Sequence, residues 1–436
     1  MKLEGAKVVV LGMARSGVAA AELLRSKGAD VRAVDQKSAS IDGFEVLPQT
    51  SESLVGADLI VLSPGVPADL DIVEAQRSIG VSIIGDLELA SWFLRGEIIG
   101  ITGSNGKTTT TALTGHILKS SGIAVQVGGN IGTPPATMVG TSNDTQWNVL
   151  ELSSFQLETT ETFRAHIGAA LNVTPDHLDR HYTMERYVAA KARLFVNQRA
   201  GDFAVLNSDD AACRSYANVG KGAPVWLSST QQVSPGAFLR EGKLFLHQEP
   251  LMPAAEVPLR GLHNLENTMA AAAMASLVGA THKQIRAAVA TFPGVEHRLE
   301  FVREIDGVAW YNDSKATNVD ATLKAIAAFD GGLWVILGGK DKNSDYTPLP
   351  APLSHKARGV LLIGAAAEKI EAQLRAAGLG GIEIVTSGTL EAAIATARER
   401  AKAGETVLLA PACASFDQFE NFEHRGREFK RLVKTL

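Results

Sequence analysis

The stretch that decides the fold runs from Gly96 to Leu113 and reads GEIIGITGSNGKTTTTAL. An apolar run leads into a turn of glycine, serine and asparagine, and a lysine and four threonines then open a helix-like segment. Such a turn points backbone N–H groups and the positive end of a helix at one spot, where phosphate oxygens fit. The pattern predicts a nucleotide site in which Lys107 neutralises the β- and γ-phosphates and Thr108 ligates Mg²⁺. Ile101 stands where a strict P-loop has its first glycine, and a plain strand–turn–helix is the alternative.

Length, composition and charge limit the classes of protein to which the chain can belong. Its 436 residues exceed what one hydrophobic core usually holds, so we expect several domains. Lysine and arginine total 42 against 47 acidic residues, a formal charge of -5 without a basic block, which argues against a nucleic-acid surface. The two cysteines, Cys213 and Cys413, lack a paired metal spacing and fit a reducing cytosol. The apolar runs are too short for a signal peptide or a membrane span, so we expect a soluble cytoplasmic protein.

Strand-like and helix-like segments alternate along almost the whole chain. The strand-like runs are KVVVLG, DVRAVD, ADLIVLSPG, EIIGITG, NVLELSS, IGAALNVT, DFAVLN, GLWVILGG, GVLLIG and TVLLAP. This alternation predicts the α/β class with parallel sheets. A helix-like segment gives way to a strand near Phe93, and proline and glycine interrupt the pattern near Gly294. We therefore expect a Rossmann-like domain at 1–93, a central P-loop ATPase-like sheet at 94–294 and a second Rossmann-like domain at 295–436.

Polar side chains follow two further strand-like runs of the central region. Glu151 ends one run, at the edge where open α/β sheets place ligands, and its carboxylate suits magnesium, although a helix cap or an exposed glutamate is the alternative. The segment NVTPDHLDRH groups four polar residues, Asp176, His177, Asp179 and His181. That segment is either a polar loop or a metal or substrate site. Lys191, in the helix-like MERYVAAKARLF, has the pattern of a solvated surface lysine.

The N-terminal stretch VVLGMARSGVAAAELL resembles a dinucleotide-binding turn, with Asp35 at the end of the next strand. Ala14 replaces the middle glycine of that fingerprint, giving G-x-A-x-x-G, which weakens a nicotinamide interpretation. A helix N-terminus still binds a pyrophosphate and Asp35 can bind a ribose or a base, so a nucleotide-diphosphate substrate is at least as natural as NAD. A tight turn that binds no ligand is the alternative.

The C-terminal region carries polar residues at turns and strand ends. The segments HRLE and NDSKATN contain Arg298, Asp313, Lys315 and Thr317. Lys342 in GGKDKN and Ser415 in ACASFDQFENFEHRG each follow a strand-like run, so they can converge on an anionic group such as an amino-acid carboxylate. Charged surface loops account for each segment equally well.

Taken together, these stretches resemble the Mur ligase family. The resemblance rests on GITGSNGKTT, GGNIGTP, ELSSFQLE, NVTPDHLDRH, AAKARLF, GLHNLEN, HRLE, NDSKATN and PACASFDQFENFEHRG, which occur in the expected order across all three predicted domains. ELSSFQLE and ACASFDQFENFEHRG are the specific segments, since folylpolyglutamate synthases share the phosphate-loop variant. The motif DNPR, expected in ligases that add diaminopimelate or lysine, does not occur in the sequence.

The resemblance implies an ADP-forming ligase that adds D-glutamate to UDP-N-acetylmuramoyl-L-alanine in cytoplasmic peptidoglycan precursor synthesis. The substrate carboxylate would take the γ-phosphoryl group of ATP as an acyl phosphate, which the amine of D-glutamate then attacks. The implied cofactors are ATP and Mg²⁺, with Mn²⁺ as a substitute. We expect a monomer that binds small-molecule substrates and neither nucleic acid nor a membrane.

The resemblance also implies roles for individual residues. The implied catalytic residues are Lys107, His177 and Lys191. The implied nucleotide contacts are Gly103, Asn105, Gly106, Lys107, Thr108, Thr109, Asn264, Arg298 and Asp313. The implied metal ligands are Thr108, Glu151, His177 and Lys191, the last as a carbamate. The implied substrate contacts are Arg15, Ser16, Gly17, Asp35, Asn130, Lys315, Thr317, Lys342, Ser415 and Phe422. A carbamate on Lys191 would supply a second hard oxygen donor and replaces the expectation of a solvated lysine.

Three alternatives remain. Another amino-acid-adding ligase of the same fold would differ in its donor or acceptor. A nicotinamide-dependent oxidoreductase could use the N-terminal turn, and a P-loop ATPase switch could use the central one. The missing fingerprint glycine and the polar C-terminal segments argue against the last two.

Overall fold

Three sheets form the framework of the protein in the computed structural model, which describes residues 2–36, 41 and 43–436. The strands of the first sheet are β1 (Lys7–Leu11), β2 (Asp30–Asp35), β3 (Val46–Pro48), β4 (Leu59–Leu62) and β5 (Ser82–Gly85). Its helices are α1 (Arg15–Ser26), α2 (Asp71–Ser78) and α3 (Asp86–Ser91). The strands pair in parallel in the order β3-β2-β1-β4-β5, which is the strand order of a Rossmann-like sheet.

The second sheet has nine strands and surrounds the opening motif. Its strands are β6 (Glu97–Thr102), β7 (Val125–Gly129), β8 (Trp147–Glu151), β9 (Ile167–Ala170), β10 (Phe203–Asn207), β11 (Ala223–Ser228), β12 (Gly236–Arg240), β13 (Lys243–Leu246) and β14 (Glu249–Pro253). The order is β14-β13-β12-β11-β10-β9-β6-β8-β7, parallel from β7 to β12 and antiparallel beyond. The strands after β6 lie first on one side of it, at β8 and β7, and then on the other side, from β9 onward. The carboxyl end of β6 is therefore a topological switch point, where sheets of this kind bind ligands.

The helices that follow β6 in sequence, up to residue 290, are α4 (Lys107–Ser120), α5 (Pro135–Met138), α6 (Ser154–Leu157), α7 (Leu178–His181), α8 (Met184–Val196), α9 (Ala211–Ser215), α10 (Leu262–Val278) and α11 (His282–Ala290). Short 3₁₀ turns lie at Glu52–Leu54, Val139–Thr141, Tyr216–Asn218 and Ala254–Glu256. Within the described part of the chain, no helix is both long enough and apolar enough to cross a membrane.

The third sheet has six strands. Its strands are β15 (Glu300–Ile305), β16 (Val308–Asn312), β17 (Leu333–Gly338), β18 (Ala357–Ile363), β19 (Glu383–Gly388) and β20 (Thr406–Leu409). Its helices are α12 (Val319–Ala327), α13 (Pro350–Lys356), α14 (Ala367–Ala376), α15 (Leu390–Arg400) and α16 (Phe422–Thr435). The order is β15-β16-β20-β17-β18-β19, with only the β15–β16 pair antiparallel.

Successive residues of the buried strands face opposite cores. In β1, Val8 and Val10 belong to one apolar cluster and Val9 and Leu11 to another, so both faces of the strand are covered. This two-sided burial is why these runs read as continuously apolar rather than alternating.

The chain divides into two compact units. The first unit, Met1–Glu256 with Glu266–Phe292, holds the five- and nine-stranded sheets, and the second, Val257–Leu265 with Pro293–Leu436, holds the six-stranded sheet. Three sheets in this order confirm the expected three-domain α/β fold. The residue boundaries near Phe93 and Gly294 stay predictions.

Every strand-like run of the sequence contains a strand in the structure. The strands that the sequence pattern missed are β3, β5, β7, β11 to β16 and β19, which lie at or towards the edges of their sheets. Edge strands are less completely buried, so they tolerate charged residues and glycine. Mixed composition hides strands such as β12 (GAFLR) and β19 (EIVTSG) from a search for apolar runs, but it does not account for β16 (VAWYN), which is apolar and mostly buried.

One buried carboxylate joins helix α3 to the segment before β9. Glu88 is fully buried and accepts hydrogen bonds of 2.8 to 3.1 Å from the backbone N–H groups of residues 161 to 163. The Thr162 hydroxyl and the Trp92 indole also donate to it. Burial by itself would raise the pKa of Glu88, but these donors outweigh burial and hold the pKa below its usual value of 4.5. The first two sheets are thus connected by an ionised, fully hydrogen-bonded side chain.

We expect Glu88→Gln to lower the free energy of unfolding at pH 7 by about 2–3 kcal/mol, because an amide nitrogen cannot accept the hydrogen bonds of a carboxylate oxygen. Ionised Glu88 stabilises the folded state above its unfolded pKa, so the difference should shrink as the pH falls through the lowered folded pKa. Urea denaturation at pH 7 and at acidic pH measures both effects. Asp144→Asn, which breaks an exposed pair with Arg95, is the control and should change little. Equal stability of Glu88→Gln and the parent at pH 7 would contradict the assignment.

Candidate active site

The loop between β6 and α4 has the geometry that its sequence predicts. Gly106 has a φ of +85°, and α4 begins at the next residue. A Cβ on Gly106 would lie 2.3 Å from Oδ1 of Asn267, so a larger residue would have to displace that side chain. Asn172 fixes the other side of the loop, because its Oδ1 accepts from Asn105 N (2.8 Å) and its Nδ2 donates to Asn105 O (3.1 Å). The loop therefore presents the N-terminus of a long helix, which is suited to phosphate.

Two lysines meet at one carbonyl oxygen of this loop. Gly103 O accepts from Nζ of Lys107 (2.8 Å) and from Nζ of Lys191 (2.9 Å). Lys191 is 1% exposed, and its Nζ lies 4.4 Å from the ring centroid of Tyr187. Burial, followed by the charge of Lys107, lowers the pKa of Lys191 well below its usual value. The sequence pattern alone, which predicts a solvated lysine, is wrong because α8 packs this face against the loop.

Glu151 ends β8 directly beside the start of the loop, in register with Ile101 of β6. It is 2% exposed; Oε1 accepts from Nδ2 of Asn130 (3.2 Å), while Oε2 is buried and makes no hydrogen bond within the described structure. A buried carboxylate oxygen without a donor is costly unless a cation binds it. The site therefore fits Mg²⁺, which prefers hard oxygen ligands. An exposed glutamate is excluded, and the cap of α6 is Ser153 rather than Glu151.

The polar segment before α8 divides into buried and exposed side chains. His181 is buried, with Nε2 2.9 Å from Oγ of Ser154, and burial lowers its pKa to about 4. His177 adopts a φ of +54° and is 45% exposed, with its ring 4.8 Å from that of Phe155. Asp179 is exposed. Across the described ranges, no three His, Cys, Asp or Glu side chains form a metal cluster, so a metal here would depend on Glu151 and other donors.

The N-terminal turn is built for close approach. A Cβ on Gly17 would lie 1.8 Å from the carbonyl oxygen of Gly12, so only glycine lets α1 pack this near to β1. Oδ2 of Asp35 accepts from Met13 N (2.6 Å) and thereby ties the end of β2 to the turn. Ala14 leaves α1 without a side-chain cap, so the N–H groups at the start of this helix are not capped by its own side chains. Arg15 is exposed and Ser16 is half-buried in the first turn of α1.

In the second unit, the five expected substrate contacts lie on segments that contact one another. Nζ of Lys315 lies 4.6 Å from the ring centroid of Phe422. Ser415 is 2% exposed and follows Ala414, whose carbonyl oxygen accepts from Lys340 N (2.9 Å). This backbone bridge brings the segment that carries exposed Lys342 next to Ser415. Thr317 N donates to Lys315 O (2.8 Å) in the same turn.

The expected nucleotide contacts of the second unit are mostly buried. Asp313 follows β16, and burial raises its pKa to about 7 while the charge of Arg298 opposes that rise. Asn264 is 7% exposed and its Nδ2 donates to Arg260 O (2.7 Å). A carboxyl that titrates near neutrality beside a cation is typical of a binding site.

Several residues that shape the phosphate loop were not selected from the sequence. They are Ser104, Asn172, Tyr187 and Asn267. The Tyr187 hydroxyl lies 3.0 Å from Oγ of Ser104, which donates to Thr174 O (2.9 Å). Tyr187 stands four residues before Lys191, so it occupies the same helix face, and this spacing could have identified it. Asn267 comes near Gly106 only through the tertiary fold, which no local pattern predicts.

This fold and site define an α/β enzyme class in which a phosphate loop, a buried carboxylate and two lysines share one sheet edge. Family models match the chain as a Mur ligase MurD-like N-terminal domain at residues 6–85, a Mur ligase middle domain at 101–275 and a Mur ligase glutamate ligase domain at 297–413. Curated UDP-N-acetylmuramoylalanine--D-glutamate ligases are similar along the full chain. That of Solibacter usitatus is 56% identical and that of Koribacter versatilis 48%, each covering 100% of this chain and 99% of the relative. The chain belongs to the Mur ligase family.

Solved structures share the fold. A pseudomurein peptide ligase type C from Methanothermus fervidus has a TM-score of 0.62 at 19% identity, covering 99% of this chain and 100% of that one. UDP-N-acetylmuramate-alanine ligase MurC from Thermotoga maritima has a TM-score of 0.61 at 18% identity, covering 99% of both chains. The predicted family and three-domain architecture are confirmed.

We expect Gly106→Ala to weaken the binding of Mg²⁺-ADP by about tenfold or more, which corresponds to about 1.4 kcal/mol. The added methyl group would both strain the positive φ and collide with Asn267. Gly122→Ala is the matched control, because Gly122 has a φ of +77° with open space around its Cβ position. Gly122→Ala carries the same backbone strain at a positive φ, about 1–2 kcal/mol, but its added methyl group would collide with no neighbouring atom. Isothermal titration measures the affinities; equal losses in both variants would refute the role of the Asn267 contact.

Proposed function

We propose that the protein joins D-glutamate to UDP-N-acetylmuramoyl-L-alanine in an ADP-forming reaction of peptidoglycan precursor synthesis. Curated relatives that carry this ligase name are 41% to 56% identical over the whole chain. The observation that carries the chemistry is that Lys107 and Lys191 share the carbonyl oxygen of Gly103, at the end of the central sheet where β8 places the buried Glu151 in register with Ile101.

The central loop is proposed to hold the triphosphate of ATP. The N-terminus of α4 and the Lys107 ammonium would bind the phosphates, and the Thr108 hydroxyl would reach the metal. The proposed nucleotide contacts of the first unit are Gly103, Asn105, Gly106, Lys107, Thr108 and Thr109. Those of the second unit are Asn264, Arg298 and Asp313.

The metal site is proposed to consist of Thr108, Glu151, His177 and a carbamate on Lys191, taking Mg²⁺ or Mn²⁺. A carbamate forms when a neutral amine attacks CO₂ and loses a proton, so the lowered pKa of buried Lys191 favours it. The two oxygens of the carbamate would be further ligands for the metal, in addition to the buried carboxylate of Glu151. Bound Mg²⁺ would offset the charge that develops when the substrate carboxylate takes the γ-phosphoryl group of ATP.

The two substrates are proposed to bind at the outer domains. The uridine nucleotide would lie at Arg15, Ser16, Gly17 and Asp35, with Asn130 contacting the same substrate beside Glu151. D-Glutamate would lie at Lys315, Thr317, Lys342, Ser415 and Phe422, where cationic side chains favour its carboxylates. The proposed domains are 1–93 for the uridine substrate, 94–294 for ATP and 295–436 for the amino acid.

We also assign the protein to the cytoplasm, as a monomer. Its two cysteines are buried and unbridged, which suits a reducing compartment.

Phosphate release from ATP and Mg²⁺ tests the proposal directly. With UDP-N-acetylmuramoyl-L-alanine present, we expect release only on addition of D-glutamate and not of L-glutamate, of lysine or of no amino acid. Mass spectrometry of the product identifies the new amide. Release with a different amino acid would move the protein to another ligase of this fold, and release without any amino acid would favour an ATPase switch.

We expect Lys191→Ala to lose at least about 100-fold in kcat, or about 2.7 kcal/mol of transition-state stabilisation. Short carboxylates such as acetate should restore part of the activity, because they can replace the carbamate oxygens at the metal. Lys119→Ala is the control, since Lys119 is an exposed lysine in the last turn of α4. A fully active Lys191→Ala enzyme would exclude the carbamate.

A further inference from the structure

Arg425 is a fully buried cation in the first turn of α16. Burial lowers its pKa only to about 10, so the guanidinium keeps its charge at neutral pH. A buried charge is costly unless its hydrogen-bonding groups are satisfied. The role of buried Arg425 therefore depends on which groups its guanidinium contacts.

The guanidinium donates to four oxygen atoms on two separate segments. Nε donates to Oγ of Ser314 (3.0 Å) and Nη2 to the carbonyl oxygen of the same residue (2.8 Å). Nη2 also donates to Cys413 O (3.1 Å), and Nη1 donates to Ala414 O (3.3 Å). All four acceptors are neutral oxygen atoms, so none of these contacts is an ion pair. They are hydrogen bonds that fix the two segments relative to each other. Only the planar fork of an arginine reaches four acceptors arranged in this way.

The first segment leads directly into the proposed amino-acid pocket. Ser314 immediately precedes Lys315, and its hydroxyl donates to the carbonyl oxygen of Phe422 (2.8 Å). Arg425, Ser314 and Phe422 thus form one hydrogen-bonded chain next to Lys315 in sequence, and Nζ of Lys315 lies over the Phe422 ring.

The second segment leads into the same pocket from the other side. Ala414 immediately precedes Ser415, and its carbonyl oxygen accepts from Lys340 N as well as from Arg425. The crossing is tight, because a Cβ on Gly339 would lie 2.2 Å from that oxygen and 3.1 Å from Nη1 of Arg425. The segment that carries Lys342 is therefore held against the same guanidinium.

We propose that Arg425 is the positioning residue of the amino-acid pocket, since its guanidinium sets the relative placement of the segments that carry Lys315, Ser415, Phe422 and Lys342. Its hydrogen-bonding groups point to backbone and hydroxyl oxygens, so it acts through these neighbours and does not contact the amino acid. The inference rests on the proposed function, because it is the D-glutamate pocket that Arg425 would shape.

The test compares Michaelis constants for the three substrates in Arg425→Lys and Arg425→Gln. We expect KM for D-glutamate to rise by about tenfold or more, while KM for ATP and for the uridine substrate stays within about twofold. Arg425→Lys keeps the charge but loses the fork, so it should be impaired nearly as strongly as Arg425→Gln.

Two further variants separate positioning from general loss of stability. Phe429→Leu changes a fully buried side chain one turn further along α16, packed on Trp310, and should leave KM for D-glutamate unchanged. Ser314→Ala removes the hydroxyl between Arg425 and Phe422 and should raise that KM by a smaller factor. If neither Arg425 variant folds, the KM of Ser314→Ala for D-glutamate tests the positioning role instead.

Four outcomes would overturn the inference. They are a normal KM in Arg425→Lys, an equal rise for all three substrates, an equal rise in Phe429→Leu, and, where only Ser314→Ala folds, an unchanged KM for D-glutamate. Failure of the proposed function is read separately and first, from the parent enzyme. Phosphate release that does not depend on D-glutamate would refute that function, and with it the inference.

Discussion

The left-handed turn at Gly106 is the constraint on which the central site depends. It lets α4 begin one residue later, so the first N–H groups of the helix, Lys107 and Thr108 all face the end of β6. A side chain at Gly106 would collide with Asn267 of α10, so the close approach of that helix requires glycine at this turn. The carbonyl oxygen of Gly103 then lies where Lys107 and Lys191 both reach it. The turn thus sets the positions of both lysines and of the helix N-terminus in the phosphate loop.

Two carboxyl groups on one helix show how hydrogen bonds decide the effect of burial. Asp86 and Glu88 both belong to α3, and both are nearly inaccessible. Burial raises the pKa of Asp86 to about 6, because neither of its carboxyl oxygens has a hydrogen-bond partner within the described residues to offset the loss of water. The pKa of Glu88 is lowered instead, since several N–H and O–H donors surround it. Glu88 is therefore a structural anion, whereas Asp86 is a carboxyl whose ionisation the fold resists.

Neighbouring residues of one motif have different surroundings for the same reason. His177 and His181 lie in the single segment NVTPDHLDRH, yet His181 is buried against Ser154 while His177 is exposed beside Phe155. The pattern correctly located a polar segment after β9, but it could not distinguish the two rings. Lys191 is a stronger case, because its local sequence is that of a surface helix and only the packing of α8 on the loop buries it. Residue type and spacing indicate which chemistry is present, and burial decides which side chains can perform it.

The sequence by itself determined the α/β class, the strand runs buried on both faces, the phosphate loop and the family. These features depend on local pattern: continuous apolar runs, glycine before a helix, and motifs in a particular order. Only the tertiary structure decided that Lys191 shares a carbonyl oxygen with Lys107, that one buried oxygen of Glu151 has no hydrogen-bond partner within the described residues, and that Arg425 joins segments about a hundred residues apart. Such contacts bring together residues from distant parts of the chain, and the desolvation that shifts their pKa values exists only once the sheets and helices have packed.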